Sequence, residues 1–429
     1  MKQIYIGGIN RSGGSLLARL FDGHPDVASY PLETSFPINK IFYPFVEALS
    51  GSTAFIPSYK KELNENIFDI LNIKQTKEET RHVWGEEKGD SAGVRKNYLE
   101  KEFYGSVKTD FDYKKYISEI EKKSINADNL NDLYNIKHKA YFDAWDEGKH
   151  SGNLEYVITH DSNGLFISNT DKFFKEFPES FFIHPIRNVT GYVASEKTRI
   201  TRRYYGSRRF PKIKMPNIFV KRFRSYDIEA LIRCWLVSLT RAVLLQEEYG
   251  VHGRFLVYRY ENLVNDTDKS MKSISSSIGL NFNDSLLEPT IMGNPWGGNS
   301  HQGKQSGVNK ELKNYYSEVL TKDELELISE RCGAILEYLD NTVSTPCDLT
   351  KIPKKMLYDY EFQKKYFNDE EKIALYTALA FSGMRKAMVS TPNFSAVVAY
   401  FYSKIVRIAH IPRLIKLNLF PGLGKQNYT

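Results

Sequence analysis

The sequence predicts an α/β fold with a central parallel sheet, helices on both faces and a ligand at the C-terminal edge of the strands. Three stretches carry that expectation. Ile4–Leu17 runs from an apolar β-like segment through a turn bounded by Gly8 and Gly13 into an apolar helix start. Leu154–Asp161 is a second apolar run. Phe181–Arg187 is a third, and Val189–Ser195 opens a helix directly after it. Strands that alternate with helical segments make parallel sheets, because a parallel connection has to cross over the sheet.

The first stretch also carries chemistry. A strand that turns through glycines into a helix leaves backbone N–H groups pointing at one spot. The helix N-terminus adds a partial positive charge, so the spot suits phosphate. Gly8 to Gly13 has the spacing of a Walker A loop, GxxxxGK[ST], which makes the expected three-layer fold P-loop-like. Gly14 stands where the Walker lysine would be, and that lysine reaches the β- and γ-phosphates of a nucleoside triphosphate. ATP or GTP hydrolysis is therefore disfavoured. Arg11 supplies the charge instead, with Ser12, Gly13, Gly14 and Ser15 completing the loop. Leu16, Leu17, Leu20 and Phe21 then give a helical apolar face that packs on the sheet, and His24-Pro25 ends it.

The run Arg11–Leu17, followed by His24-Pro25-Asp26, resembles the 5′-phosphosulfate loop of sulfotransferases. These enzymes use 3′-phosphoadenosine 5′-phosphosulfate (PAPS) as sulfuryl donor. The family's usual loop reads Arg-Ser-Gly-Thr-Thr; here Ser15 keeps a hydroxyl and Gly14 does not. In the tyrosylprotein type a glutamate after His-Pro-Asp is the catalytic base, and Glu33, with Thr34 beside it, falls on that place. A solvated loop carboxylate is the plainer reading of Glu33.

Residues 36–153 look like an insertion of amphipathic helices and loops on the acceptor side of the cleft. The next strand, Leu154–Asp161, ends in Thr159-His160-Asp161. Thr159-His160 resembles the Thr-His of cytosolic sulfotransferases, where the histidine is the base. Aligned on Asp161, His160 replaces the lysine of the tyrosylprotein type. Both alignments place His160 near the sulfuryl group, so Glu33 and His160 compete as base, with Glu33 preferred. A buried structural histidine is the plainer reading.

Arg187, Ser195 and Arg199 are separated by eight and four residues. The four-residue step puts Ser195 and Arg199 on one helix face, and Arg187 at the strand end can meet them. Two guanidiniums and a hydroxyl around one point suit a phosphate monoester, which arginine clamps bidentately. Sulfotransferases bind the 3′-phosphate of PAPS with this arginine–serine spacing, and the tyrosylprotein type adds the second arginine. Two motifs in the right order carry the resemblance much further than either alone.

From Lys197 to Arg224 there are eleven Lys and Arg and no acid, interleaved with Tyr204, Tyr205, Phe210, Phe219 and Phe223. Pro211 and Pro216 predict a loop rather than a long helix. Ile228–Glu248 predicts an amphipathic helix with Leu231, Trp235, Leu239, Ala242 and Leu245 on one face. Arg254–Val264 resembles the family's late strand ending Tyr-Glu-x-Leu, in which Tyr260 would reach the cofactor. Lys269–Ile278 predicts a short helix. A polar, Gly-rich loop begins at Asn294, and Lys304 is its candidate for closing over PAPS. Thr321 and Glu324 form a capping box for a helix over 323–339.

At 429 residues the chain can hold one large domain with an appendage, expected as a sulfotransferase domain over 1–345 and a C-terminal helical extension over 346–429. Hydrophobic residues at 41% suffice for a thick core, and a net charge of +7 does not by itself imply a polyanion partner, so no nucleic acid is expected. Three scattered cysteines, Cys234, Cys332 and Cys347, suit neither a disulfide framework nor zinc and fit a reducing compartment. A strand begins almost at Met1 and no apolar run reaches the ~20 residues of a membrane span, which fits a cytoplasmic enzyme or a chain trimmed of its anchor. The basic apolar segment Phe394–Phe420 can cap the domain, the preferred reading, or touch a membrane surface peripherally.

The expected reaction is sulfuryl transfer from PAPS to an acceptor hydroxyl or amine, on a sulfate acceptor such as a glycan, a lipid, a small molecule or a tyrosine; an anionic glycan or lipid would suit the basic stretch. No metal is implied, because fixed positive charge is already present. Two alternatives stand beside it. One is a nucleoside-triphosphate-dependent P-loop kinase, with Asp161 toward magnesium. The other is a non-catalytic relative that binds a bisphosphate or a glycan.

Overall fold

A computed structural model describes residues 1–33, 130–143, 154–162, 170–205, 228–291, 293–296, 307–308, 316–341 and 345–369, with single helical positions at 115, 118, 119, 122, 123, 372, 373 and 376. Of the expected insertion only the five single positions between 115 and 123 and α2 (Leu130–Asp143) are described, and Lys304 and Phe394–Phe420 lie outside the described residues.

Five strands form one parallel sheet: β1 (Lys2–Gly8), β2 (Val27–Glu33), β3 (Tyr156–Ser162), β4 (Phe181–Ile186) and β5 (Phe255–Arg259). Their order is β2-β3-β1-β4-β5, so the phosphate-loop strand is central. Lys2–Gly8 pairs with Tyr156–Ser162 on one side, and Ile4–Ile6 with Phe181–Ile183 on the other. Alternate side chains enter opposite faces. Tyr5, Phe182, Phe255 and Val257 join one buried cluster, while Ile4, Ile6, Ile183, Leu256 and Tyr258 join the other. Because both faces are covered, the strands read as continuous apolar runs.

On the second face lie α1 (Gly14–Phe21) and, further along, α7 (Thr267–Ile278), which contribute Leu17, Leu20, Met271 and Ile274. The first face is covered by α3 (Thr170–Glu176), α4 (Val189–Tyr205), α5 (Ile228–Tyr249) and α9 (Lys322–Asp340), after the one-turn α8 (Tyr316–Val319). Residues 345–369, ending in α10 (Tyr360–Lys365), share that cluster through Cys347, Leu349, Ile352 and Tyr358. Gln246 of α5 donates to the Cys347 carbonyl at 2.7 Å and accepts from Leu349 N at 2.7 Å. Among the described residues no helix is long and apolar enough to cross a membrane.

Two local expectations change. Tyr260 does not end a strand; it opens a one-and-a-half-turn helix, α6 (Tyr260–Asn265), because extended backbone stops at Arg259, φ −89° and ψ 130°. The basic stretch after Lys197 starts as helix, with α4 running to Tyr205. Lys197 itself is buried and donates to Val319 O at 3.0 Å and Glu324 Oε2 at 2.7 Å, which fixes the helix against α8 and α9.

Thr321 and Glu324 form the expected capping box: Glu324 N donates to Thr321 Oγ1 at 3.3 Å and Thr321 N to Glu324 Oε2 at 2.8 Å. Thr321→Ala should lower folding stability by about 1 kcal/mol, the usual worth of such a cap. A denaturant midpoint that shifts down at constant slope would show it.

Candidate functional site

The site lies where the connections after β1 and β4 leave for opposite faces of the sheet, the place where open α/β sheets bind ligands. Between β1 and α1 the chain turns left-handed twice, at Arg11 (φ 69°) and Gly13 (φ 101°). A non-glycine residue at positive φ persists only when its surroundings hold it. Here they do. Arg11 Nε donates to Ser195 Oγ at 2.9 Å, and Arg187 Nη1 donates to the Arg11 carbonyl at 3.1 Å. Tyr258 Oη donates to the Gly13 carbonyl at 3.3 Å. Burial, with Tyr260 as a second cause, pushes that phenol well above its ordinary pKa, so it stays a donor.

Gly13 could carry no side chain, since a Cβ there would lie 2.4 Å from Tyr260 Cδ2. The same Tyr260 ring is 4.5 Å from Arg187 Cζ, a cation–π contact that steadies the guanidinium. Gly14 and Ser15 begin α1, whose first-turn N–H groups have no intrahelical acceptor. Ser12 is buried beside them. Arg11, Ser12, Gly13, Gly14, Ser15, Arg187, Ser195 and Tyr260 are thus one constellation. Arg199 lies one turn beyond Ser195 on α4, and its side chain is outside the described residues, as Lys304 is altogether.

Glu33 and His160 are register partners across the β2–β3 pair, at the C-terminal end of both strands. His160 also pairs with Ile6 of β1, which seats it next to the strand that feeds the loop. The Glu33 side chain is not among those described. His160 is buried, and its Nδ1 has no hydrogen-bond partner among the described residues. Burial, helped by the charge of Arg19, lowers its pKa to about 3. The imidazole is therefore neutral.

Four further residues hold this site; Glu261 lies in the Tyr-Glu-x-Leu stretch but had no role assigned, and the other three carry no motif of their own. His184 Nδ1–H donates to the Gly7 carbonyl at 2.8 Å, continuing the β1–β4 link past the last backbone pair. Trp235 Nε1 donates to the Arg187 carbonyl at 2.8 Å. Tyr258 holds Gly13, and Glu261 Oε1 accepts from Asn188 N at 2.9 Å. The apolar periodicity of α5 marks Trp235 only as core; nothing local marks its hydrogen bond.

The family model described as "Sulfotransferase family" matches residues 3–284. Among solved structures, the chain is similar to the sulfotransferase domain of the Synechococcus PCC 7002 olefin synthase, at 16% identity and a TM-score of 0.40, covering 77% of this chain and 94% of that one. It is also similar to the sulfotransferase domain of the curacin biosynthetic pathway, at 13% identity and a TM-score of 0.39, covering 77% and 97%. No curated protein matches it.

His160 and His184 are neutral in the folded chain, with pKa values lowered by burial from 6.5 to about 3 and about 4. Between those values and 6.5 the unfolded chain binds protons that the folded chain does not, so stability falls as the pH drops from 6.5 toward 4. Denaturation across that window should show a shallower slope in His160→Gln and in His184→Gln than in the wild type. Equal slopes would mean that neither ring is buried neutral.

Proposed function

The chain belongs to the sulfotransferase family, and from that premise we propose that it transfers a sulfuryl group from PAPS to an acceptor hydroxyl. One observation carries the choice of donor: Arg11 Nε on Ser195 Oγ, with Arg187 Nη1 on the Arg11 carbonyl. It brings a loop of N–H donors against two guanidiniums and a hydroxyl, which suits a nucleotide carrying two separated phosphate groups.

The fit is supported at Gly13. A side chain there would collide with Tyr260, so the loop backbone is left bare for close approach. Ser12, Gly13, Gly14 and Ser15 would hold the 5′-phosphosulfate, with Arg11 beside them. Arg187, Ser195 and Arg199 would hold the 3′-phosphate, with Tyr260 against the nucleotide and Lys304 closing over it. The donor supplies an activated sulfuryl group held in a mixed phosphate–sulfate anhydride.

In this reading Glu33 takes the proton of the acceptor hydroxyl as its oxygen bonds to sulfur. Arg11 and the loop N–H groups stabilise the charge that develops as the bond to the 5′-phosphate breaks. A histidine whose conjugate acid has a pKa of about 3 is a weak base near neutrality. His160 is accordingly given the other part, donating a hydrogen bond to the sulfuryl or bridging oxygens. The acceptor is taken to be a glycan, a lipid, a small molecule or a tyrosine, met in the cytoplasm.

Two experiments test this. By calorimetry in EDTA, adenosine 3′,5′-bisphosphate should bind more tightly than 5′-AMP, and also more tightly than ATP–magnesium measured without chelator. Arg187→Ala should weaken the bisphosphate by about 2 kcal/mol more than it weakens 5′-AMP, the worth of a charge-assisted phosphate contact, while any loosening of the Arg11 turn falls on both. Tighter binding of ATP–magnesium would overturn the donor assignment. With labelled PAPS and an acceptor panel, Glu33→Gln should abolish turnover at near-normal bisphosphate affinity, while His160→Ala keeps residual activity. The reverse pattern would make His160 the base.

A further inference from the structure

We infer that Glu261 is a positioning residue for Arg187, acting on the backbone from which that arginine projects. The inference rests on the assignment of Arg187 to the 3′-phosphate, and it concerns what aims the guanidinium.

Asn188 is the residue before α4 and caps it. Its Oδ1 accepts from Thr190 N at 2.9 Å, and its carbonyl accepts from Tyr192 N at 2.9 Å. A self-sufficient helix start adds an acid three residues on, which reaches back to the N–H of the capping residue. Glu324 does this for Thr321 in α9. In α4 the corresponding position is Gly191, which has no side chain to offer. A Cβ there would lie 3.0 Å from Arg187 Nε and 3.5 Å from its Nη2, because the guanidinium lies across the first turn of the helix. A larger residue that finished the cap would therefore press on the side chain that makes the site.

Glu261 supplies the missing acceptor from another element, α6. Its Oε1 takes the Asn188 N–H at 2.9 Å. The carbonyl of the same peptide group, that of Arg187, takes the Trp235 indole N–H at 2.8 Å. One peptide plane is therefore clamped on both edges, which fixes the torsions on either side of it and so the direction of the Arg187 side chain. Tyr260, the residue before Glu261, lies against the guanidinium itself. Glu261 is held in turn: Arg259 Nε is 3.9 Å from its Oε2, and Arg259 also donates to the Leu339 carbonyl and pairs with Asp340 at 2.6 Å. A carboxylate at the start of α4 is further favoured by the helix dipole.

The test compares adenosine 3′,5′-bisphosphate with 5′-AMP by calorimetry in the wild type, Arg187→Ala, Glu261→Ala and Glu261→Gln, with thermal unfolding of each ligand-free protein. Glu261→Ala should lower bisphosphate affinity roughly tenfold more than 5′-AMP affinity, in keeping with a lost charge-assisted hydrogen bond. Glu261→Gln keeps an acceptor for Asn188 N and should recover most of the preference. Equal losses for the two nucleotides, or a glutamine variant no better than alanine, would mean that Glu261 serves stability alone. If the wild type prefers the bisphosphate, Arg187→Ala abolishes the preference and Glu261→Ala keeps it, the inference falls and the donor assignment stands. If the wild type shows no preference, both fall.

Discussion

Every part of the site depends on a short length of main chain bending the wrong way for an ordinary residue. Arg11 and Gly13 both take left-handed torsions, and only the second is a glycine. The conformation at Arg11 costs on the order of 1–3 kcal/mol, so it has to be over-determined by its neighbours. Those neighbours are Ser195 and Arg187, 184 and 176 residues further along the chain. The residues that would meet the two ends of a nucleotide are therefore the same ones that hold the turn. Loop geometry and ligand chemistry are not separable here.

Topology makes that economy available. With β1 in the centre, the helix after it covers one face of the sheet and the helix after β4 covers the other. The two connections part at the C-terminal edge, and a crevice is left between them. Backbone pairing between β1 and β4 ends at Ile6 and Ile183, after which the His184 side chain carries the link on to Gly7. Tyr258 and Tyr260 approach from β5 and α6, so the strand next to β4 closes the far wall.

Four of the five strands were legible because parallel strands buried on both faces are apolar throughout; β2, with Ser29 and Pro31 in it, was not. The phosphate loop was legible from Gly8 and Gly13, although Arg11 shares the left-handed turn. The shared helix face of Ser195 and Arg199 was legible because a helix repeats, and the place of Arg187 followed from the strand that ends beside it. What holds these groups was not. Trp235, Tyr258 and Glu261 act across separations of 48, 245 and 73 residues, and no local pattern encodes a hydrogen bond of that reach. The boundary at Arg259 was misplaced for a similar reason. Tyr-Glu-x-Leu has an apolar spacing that suits a strand end or a first helical turn equally, and tertiary contacts decide between them. Lys197, counted in the basic stretch read as a loop, is instead a buried helical tether because Glu324 is there to meet it.

The family match stops at 284, yet the wall of α5 that faces away from the sheet is covered by residues 345–369. At the end of α5, Gln246 binds both Cys347 and Leu349, and Glu247 accepts from Tyr360 Oη at 2.9 Å and pairs with Lys354. Arg241 packs its guanidinium 4.3 Å from the Phe367 ring. These three residues lie inside the shared portion, but their partners lie outside it. A chain cut before residue 345 would therefore lose these contacts from inside the matched region, at Arg241, Gln246 and Glu247 of α5.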